Sequence, residues 1–333
     1  MIRLVVLAAA LLASAPVQAQ SRPPADPYAP GRKVVAGLDK IVTPRGVQDD
    51  FTATLGGVPQ AVSVRGADRD NPILLFVHGG PGAVEMPMAW SFERPWEDYF
   101  TVVQWDQRGA GRSYAMEDKA TLAPTMTFDR YRDDTIELID LLRRKYGKRK
   151  IFLMGHSWGS TVGLAVAAKR PDLLYEYIGV GQLIDFRESE KRGFAWTLAK
   201  ARADHNAEAV KALEAIEPYP GTGPFDVAKV NIERRWSVHY GALAAYRDNA
   251  DFYYRVTHLS PEYTPADLVA WDEGAQFTIN TLLPKLADIS FAKLHRLNVP
   301  VLFLLGRHDH TCDAGMAAAW LGRLHAPDKQ LVW

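Results

Sequence analysis

Cysteine is all but absent: Cys312 stands alone, so no intrachain disulfide can form and a packed core must supply the stability. An excess of charge of either sign is lacking too. Lys plus Arg and Asp plus Glu both number 39. That leaves no basic stripe for a phosphate backbone and no acidic tail for a basic partner, so nucleic acid is not an expected ligand. Long apolar runs are also missing. The run at the start, Leu4 to Ala13, falls short of the roughly 20 residues a spanning helix needs. With Arg3 before it and Val17-Gln18-Ala19 after it, it reads as a secretory signal peptide over residues 1–19. The mature chain is then expected to begin near Gln20, to carry no transmembrane helix, and to work in the periplasm or outside the cell. A retained anchor is the alternative, but no cysteine near the start offers a lipidation site. No internal repeat is visible, and the sequence gives no sign of an oligomeric state.

What is present is a chain of 333 residues, 47% of them hydrophobic, enough for one large core with or without an inserted subdomain. Residues 20–50, rich in Pro, Arg and Asp without periodicity, suggest a loose extension strapped over that core. A hairpin is expected next, Phe51 to Leu55 and Val58 to Val64, turning at Gly56-Gly57. The pattern then changes to short apolar runs rich in β-branched and aromatic residues, Ile73 to Val77, Thr101 to Trp105, Ile151 to Met154 and Tyr177 to Val180. Such runs suit strands buried on both faces. Helical spacing separates them, with Thr127 as N-cap and Gly147 as terminator of one helix, and an Ala-rich helix over Thr161 to Lys169. These features place the first part of the core at 51–181. From 182 to 290 the strand signal gives way to a helical cap. Residues 291–333 resume the core with a strand at Val299 to Leu305, a helix at Gly315 to His325 and a last strand at Gln330 to Trp333. Strands alternating with helices imply an α/β fold with a mostly parallel, doubly wound sheet.

Gly155-His156-Ser157-Trp158-Gly159 matches G-x-S-x-G between an expected strand and an expected helix, the context that motif requires. A strand turning straight into a helix strains the backbone at the serine and leaves no room for bulky neighbours. The turn raises the hydroxyl above the sheet edge, at the partly positive end of a helix. His78-Gly79-Gly80-Pro81-Gly82 follows an earlier strand on the same edge. Its bare backbone at Gly80, with the Trp158 N–H, could form an oxyanion hole. The third loop on this edge, Asp106-Gln107-Arg108-Gly109-Ala110-Gly111-Arg112-Ser113, lacks the third glycine of a dinucleotide fingerprint. A turn locked by Asp106 and the arginines, or a direct role toward substrate, remain open for it.

HGGPG, DQRGAGRS and GHSWGS, in this order on successive strands, resemble the proline iminopeptidases, serine exopeptidases of the α/β-hydrolase fold that release an N-terminal residue, typically proline. The similarity spans about residues 50–333, including Gly306-Arg307-His308-Asp309. It implies a Ser-His-Asp triad, no metal or other cofactor, a small peptide, amide or ester substrate, and acidic cap residues that bind the substrate's free amino group. Asp309 fits the acid, because it follows a strand and comes after the serine. His308, Asp309, His310, Cys312 and Asp313 could also be read as metal ligands, but no second set stands at a recognisable spacing. Candidates for the amino-group site are Glu233 beside Trp236 and Tyr240, Asp272 and Glu273 beside Trp271 and Phe277, and Glu85 just after HGGPG; cap packing alone would equally explain such acids and aromatics.

One element of the family pattern is absent. The base is expected in the loop after the last strand, and the sequence stops within that strand. His78, His156, His310 and His325 are all poorly placed to replace it. Losing the histidine of such a triad costs about 10⁶ in turnover, so the expectation is a natural protein continuing past Trp333, with this polypeptide nearly inactive. The same machinery would serve a general esterase or amidase, and the missing base would also suit a non-catalytic binding protein.

Overall fold

The computed structural model describes residues 26–333; the signal-peptide reading of residues 1–19 lies outside them. A helix, α1 (Ala29–Leu38), stands where the sequence suggested only a loose strap. Pro30 pre-sets its first turn, and Arg32 donates to the His258 carbonyl at 3.0 Å. No side chain of α1 is buried, and Val34 and Leu38 are exposed. An apolar stripe facing the core, the usual signal of a helix, is therefore missing.

β1 (Val47–Leu55) and β2 (Val58–Gly66) form the expected hairpin, extended outward to a Val47–Gly66 pair. Its outer half was obscured by Gln48, Asp49 and Asp50, polar residues on an edge strand. Then follow β3 (Ile73–Val77), β4 (Thr101–Trp105), α2 (Gly111–Met116), α3 (Lys119–Leu122) and α4 (Phe128–Lys145). Thr127 caps α4 through its side chain, and Gly147 just beyond takes φ +65°. β5 (Ile151–His156), α5 (Trp158–Lys169) and β6 (Leu174–Val180) continue the alternation. Between β6 and β7 lie five helices, α6 (Phe186–Ala203), α7 (Ala207–Glu214), α8 (Val227–His239), α9 (Asp251–Thr257) and α10 (Pro265–Leu282). β7 (Val301–Leu304), α11 (Ala314–Arg323) and β8 (Lys329–Val332) close the described chain.

The eight strands form one sheet in the order β1-β2-β4-β3-β5-β6-β7-β8. The β1-β2 and β2-β4 pairs are antiparallel, and every later pair is parallel. Alternation along β3 serves both faces: Ile73, Leu75 and Val77 join the main core, Leu74 and Phe76 a second cluster with Met154 and Ile178. The strand order reverses between β3 and β5. At such a switch point the carboxyl ends of parallel strands open a crevice for ligands. The loops singled out above follow β3, β4, β5 and β7, all at that edge.

Candidate active site

Ser157 sits between β5 and α5 with φ +52°, a backbone region that non-glycine residues rarely occupy. Its neighbours show why the chain tolerates this only with glycine on either side. A Cβ on Gly155 would lie 2.4 Å from the Gly159 carbonyl oxygen, and one on Gly159 would lie 2.0 Å from the Val77 carbonyl oxygen. Helix and strand thus touch backbone to backbone. The Ser157 N–H donates to Val180 O at 2.9 Å, pinning the turn to β6. Beneath it, the Trp158 indole is buried and donates to Gln107 Oε1 at 3.0 Å.

The β3 loop runs against this turn, since a Cβ on Gly79 would meet the Ser157 Cβ at 3.3 Å. Gly80 takes φ +114°. Among the described residues neither the Gly79 nor the Gly80 N–H has a protein acceptor, and the Trp158 N–H, at the first position of α5, has none within its helix. Three backbone donors are therefore left open around the serine.

Asp309 follows β7 and faces the same space. It accepts from the Thr311 and Cys312 N–H groups, both at 2.9 Å, and a Cβ on Gly181 would lie 3.2 Å from its Oδ2 and 3.8 Å from the His156 ring. Burial raises its carboxyl above the ordinary value, against the pull of those two N–H groups and of His156. The group at hydrogen-bond range of Ser157 Oγ is the Cys312 thiol, 3.5 Å away. Burial lifts that thiol well above its usual range, so it is protonated and no base.

All nine histidines lie within the described residues, and none hydrogen-bonds Ser157 or Asp309. His78 is buried, accepts from the Gln107 N–H at 3.2 Å, and is held neutral by burial, its pKa lowered to about 4. His156 gives its Nδ1 to Glu85 Oε1 at 2.7 Å. His310 stacks on Trp196 with centroids 4.0 Å apart, and His325 lies in a bridge with Arg296. The possible metal ligands of the β7 loop also fan out: His308 contacts Tyr246, Cys312 faces Ser157, and Asp313 caps α11.

The amino-group candidates separate. Glu233 on α8 is buried, accepting from Thr197 Oγ1 at 3.2 Å and Ser237 Oγ at 3.4 Å. Its neighbour Arg234 lies 3.5 Å from it and 2.6 Å from Glu190 on α6, which also accepts from the Tyr219 hydroxyl. Burial raises the Glu233 carboxyl, and Arg234 opposes that rise. The cluster lies against the loop that carries Asp309 and Cys312, since a Cβ on Gly193 would sit 4.0 Å from Glu233 Oε1 and 2.8 Å from the His310 carbonyl oxygen. The α6 helix reinforces the link: Ser189 Oγ donates to Thr311 O at 3.2 Å. Glu190 was missed in the sequence although Phe186 and Phe194 flank it, because the partners that set it apart, Tyr219 and Arg234, are 29 and 44 residues away.

Asp272 and Glu273 stand apart from the serine. Both are exposed on α10, whose buried face is Trp271, Gly274 and Thr278. With Asp26, Arg32 and His258 they line an outer cavity of about 500 Å³ that includes neither Ser157 nor Asp309. Glu85 is buried, and its Oε1 accepts from His156 and, at 2.8 Å, from the Tyr253 hydroxyl of α9. Burial alone would raise its carboxyl; His156 more than offsets that, leaving it below the ordinary value.

The third loop is a locked turn. Asp106 Oδ2 accepts from the Arg112 N–H at 2.7 Å and from the Tyr263 hydroxyl. Arg108 is fully buried on Asp134 at 2.8 Å. Both aspartate and arginine are spent inside the fold, so the open choice for this loop resolves toward structure.

Comparison with known proteins agrees with this architecture. The family described as alpha/beta hydrolase fold matches residues 72–332. A probable aminopeptidase of Bacillus subtilis (strain 168), YbaC, is 29% identical over 281 residues, covering 83% of this chain and 86% of that protein. A proline iminopeptidase of Xylella fastidiosa is 26% identical over 264 residues, covering 77% and 79%. Among solved structures, the proline iminopeptidase of Mycobacterium smegmatis superposes with a TM-score of 0.59 at 19% identity, covering 85% of this chain and 89% of that one. Carboxylesterase CesB of Bacillus subtilis does so with 0.54 at 16% identity, covering 92% and 88%. At such identities the structural likeness speaks for the fold alone.

Proposed function

Since the chain belongs to the α/β-hydrolase fold family, we propose that it is an exported serine hydrolase of the proline iminopeptidase type, acting on peptides with a free amino terminus. The observation that carries this reading is the strained Ser157 turn, with φ +52° between two glycines that admit no Cβ. Ser157 Oγ attacks the carbonyl of the first residue. The Gly80 and Trp158 N–H groups receive the oxyanion, each worth on the order of 3 kcal/mol in the transition state. The tetrahedral intermediate collapses by breaking the scissile C–N bond, the serine proton passes through the base to the departing amine, and water then hydrolyses the acyl-enzyme to the free first residue and the Ser157 hydroxyl. Asp309 is placed to orient and stabilise an imidazole base, which among the described residues the chain does not supply and which added imidazole would provide.

Glu190 and Glu233 bind the substrate ammonium. The two carboxylates face one guanidinium, Arg234, so the ionised cluster keeps one negative charge for the ligand. This favours an aminopeptidase over an esterase for neutral substrates. The names of the relatives, an aminopeptidase and a proline iminopeptidase, support the same substrate class.

No imidazole stands between Ser157 and Asp309 among the described residues, and the 333-residue polypeptide therefore turns over slowly, on the order of 10⁶-fold below a complete triad. That same observation favours a second reading, a peptide-binding protein without turnover. Hydrolysis of proline p-nitroanilide with and without added imidazole separates them. The hydrolase reading predicts release that rises with imidazole and vanishes in Ser157→Ala. Equal release in Ser157→Ala would refute it, and tight peptide binding with no release at any imidazole concentration would establish the binder.

A further inference from the structure

A second buried acidic cluster, away from the serine, joins three separate parts of the chain. Along β2, Val62 and Val64 enter the main core, so Ser63 and Arg65 point to the opposite face. Arg65 there donates to Glu97 Oε1 at 2.7 Å, lies 3.0 Å from Asp39 at the end of α1, and lies 3.6 Å from Glu262 in the loop between α9 and α10. Glu262 also accepts from Ser63 Oγ at 3.1 Å. Glu93, after the 3-10 turn Met86–Ser91, accepts from Gln104 Nε2 at 2.8 Å. Asp39, Arg65, Glu93, Glu97 and Glu262 line one small cavity.

The charges do not balance. Four carboxylates face one buried guanidinium, with Arg94 half-exposed at 3.7 Å from Glu97 and the charges of Arg112 on α2 and Asp50 on β1 acting on Glu262. Hydrogen bonding fails to balance as well: Glu93 Oε1 and Gln104 Oε1, acceptors on the two partners of one hydrogen bond, are both buried without a donor. A single proton on Glu93 would supply the donor and give the two side chains a paired acid–amide contact. Buried polar groups are rarely left unpaired.

We propose that Glu93 holds a proton in the folded protein and that this proton closes a staple between α1, the core sheet and the cap, which alkaline pH opens. Burial raises all four carboxyls, Glu93 to about 8 and Glu262 to about 7. The sign follows from linkage. Above about pH 4.5 the unfolded chain releases protons that the folded chain keeps. This cluster's contribution to stability therefore falls from about pH 5 to about pH 8 and is level beyond that. The freed negative charges then push Asp39 and Glu262 from Glu93 and Glu97.

Glu93→Gln tests this, because an amide offers Gln104 Oε1 a donor at every pH. Thermal unfolding of the full chain should show the variant gaining on the wild type as pH rises from 5 to 8, with the gap constant above about 8. Glu262→Gln should give a smaller gap that levels near pH 7. Hydrogen exchange at pH 8.5 should be slower over residues 29–40 and 258–264 in Glu93→Gln than in the wild type. Parallel melting curves for both variants, or unchanged exchange in those two segments, would overturn the proposal.

Discussion

The serine turn and the cap cluster that lies against the Asp309 loop are built on opposite principles. At Gly155 to Gly159 the backbone itself is the constraint: two strands and a helix approach so closely that a single added methyl has nowhere to go. At Glu190, Tyr219, Glu233 and Arg234 the backbone is ordinary helix and loop, and buried charges do the shaping. A site can thus hold its reacting atom by sterics and its substrate by electrostatics, and the two parts should fail differently when altered. The first should lose its fold, the second its affinity.

Gly159→Ala should break the rigid side hardest. Its Cβ would fall 2.0 Å from a backbone oxygen, and a loss of about 4 kcal/mol or more in urea-induced unfolding is expected. A variant as stable as the wild type would mean that the close approach is not required. Glu233→Gln addresses the other side. Removing a charged hydrogen bond to the ligand is worth about 1.5–3 kcal/mol, so KM should rise roughly 10- to 100-fold for peptides with a free amino terminus. N-acetylated or ester substrates should be nearly indifferent. Equal effects on free and blocked substrates would remove the ammonium from the account. Trp158→Phe sharpens the comparison with the smallest change. It keeps the buried ring but leaves Gln107 Oε1 without its indole donor, costing about 1 kcal/mol and a few degrees of melting temperature.

The same contrast explains what the sequence revealed. The Ser157 turn, the Gly79-Gly80 loop and the α/β alternation were legible because each constraint is local: residues adjacent in the chain meet one another's backbones. Asp309 was legible from its place after β7. The cap was legible as a helical insertion, but the grouping of its charges was not, because those contacts join residues 190, 219 and 233, and no periodicity links them. Asp272 and Glu273 looked as good as Glu233 beside their aromatics. Which face of α10 is buried is decided by Gly274 packing on Gly109 and Tyr114, a contact across more than 150 residues. Helix α1 escaped for the opposite reason, having no buried side chain to mark it.

The central claim is that Ser157 is the reacting atom's residue, and a fluorophosphonate reagent added to the full chain with imidazole puts it to the most direct test. Peptide mapping by mass spectrometry should find the phosphonyl group on Ser157, with none in Ser157→Ala. An intact Ser157 after prolonged exposure, or an adduct of equal yield elsewhere, would contradict the account.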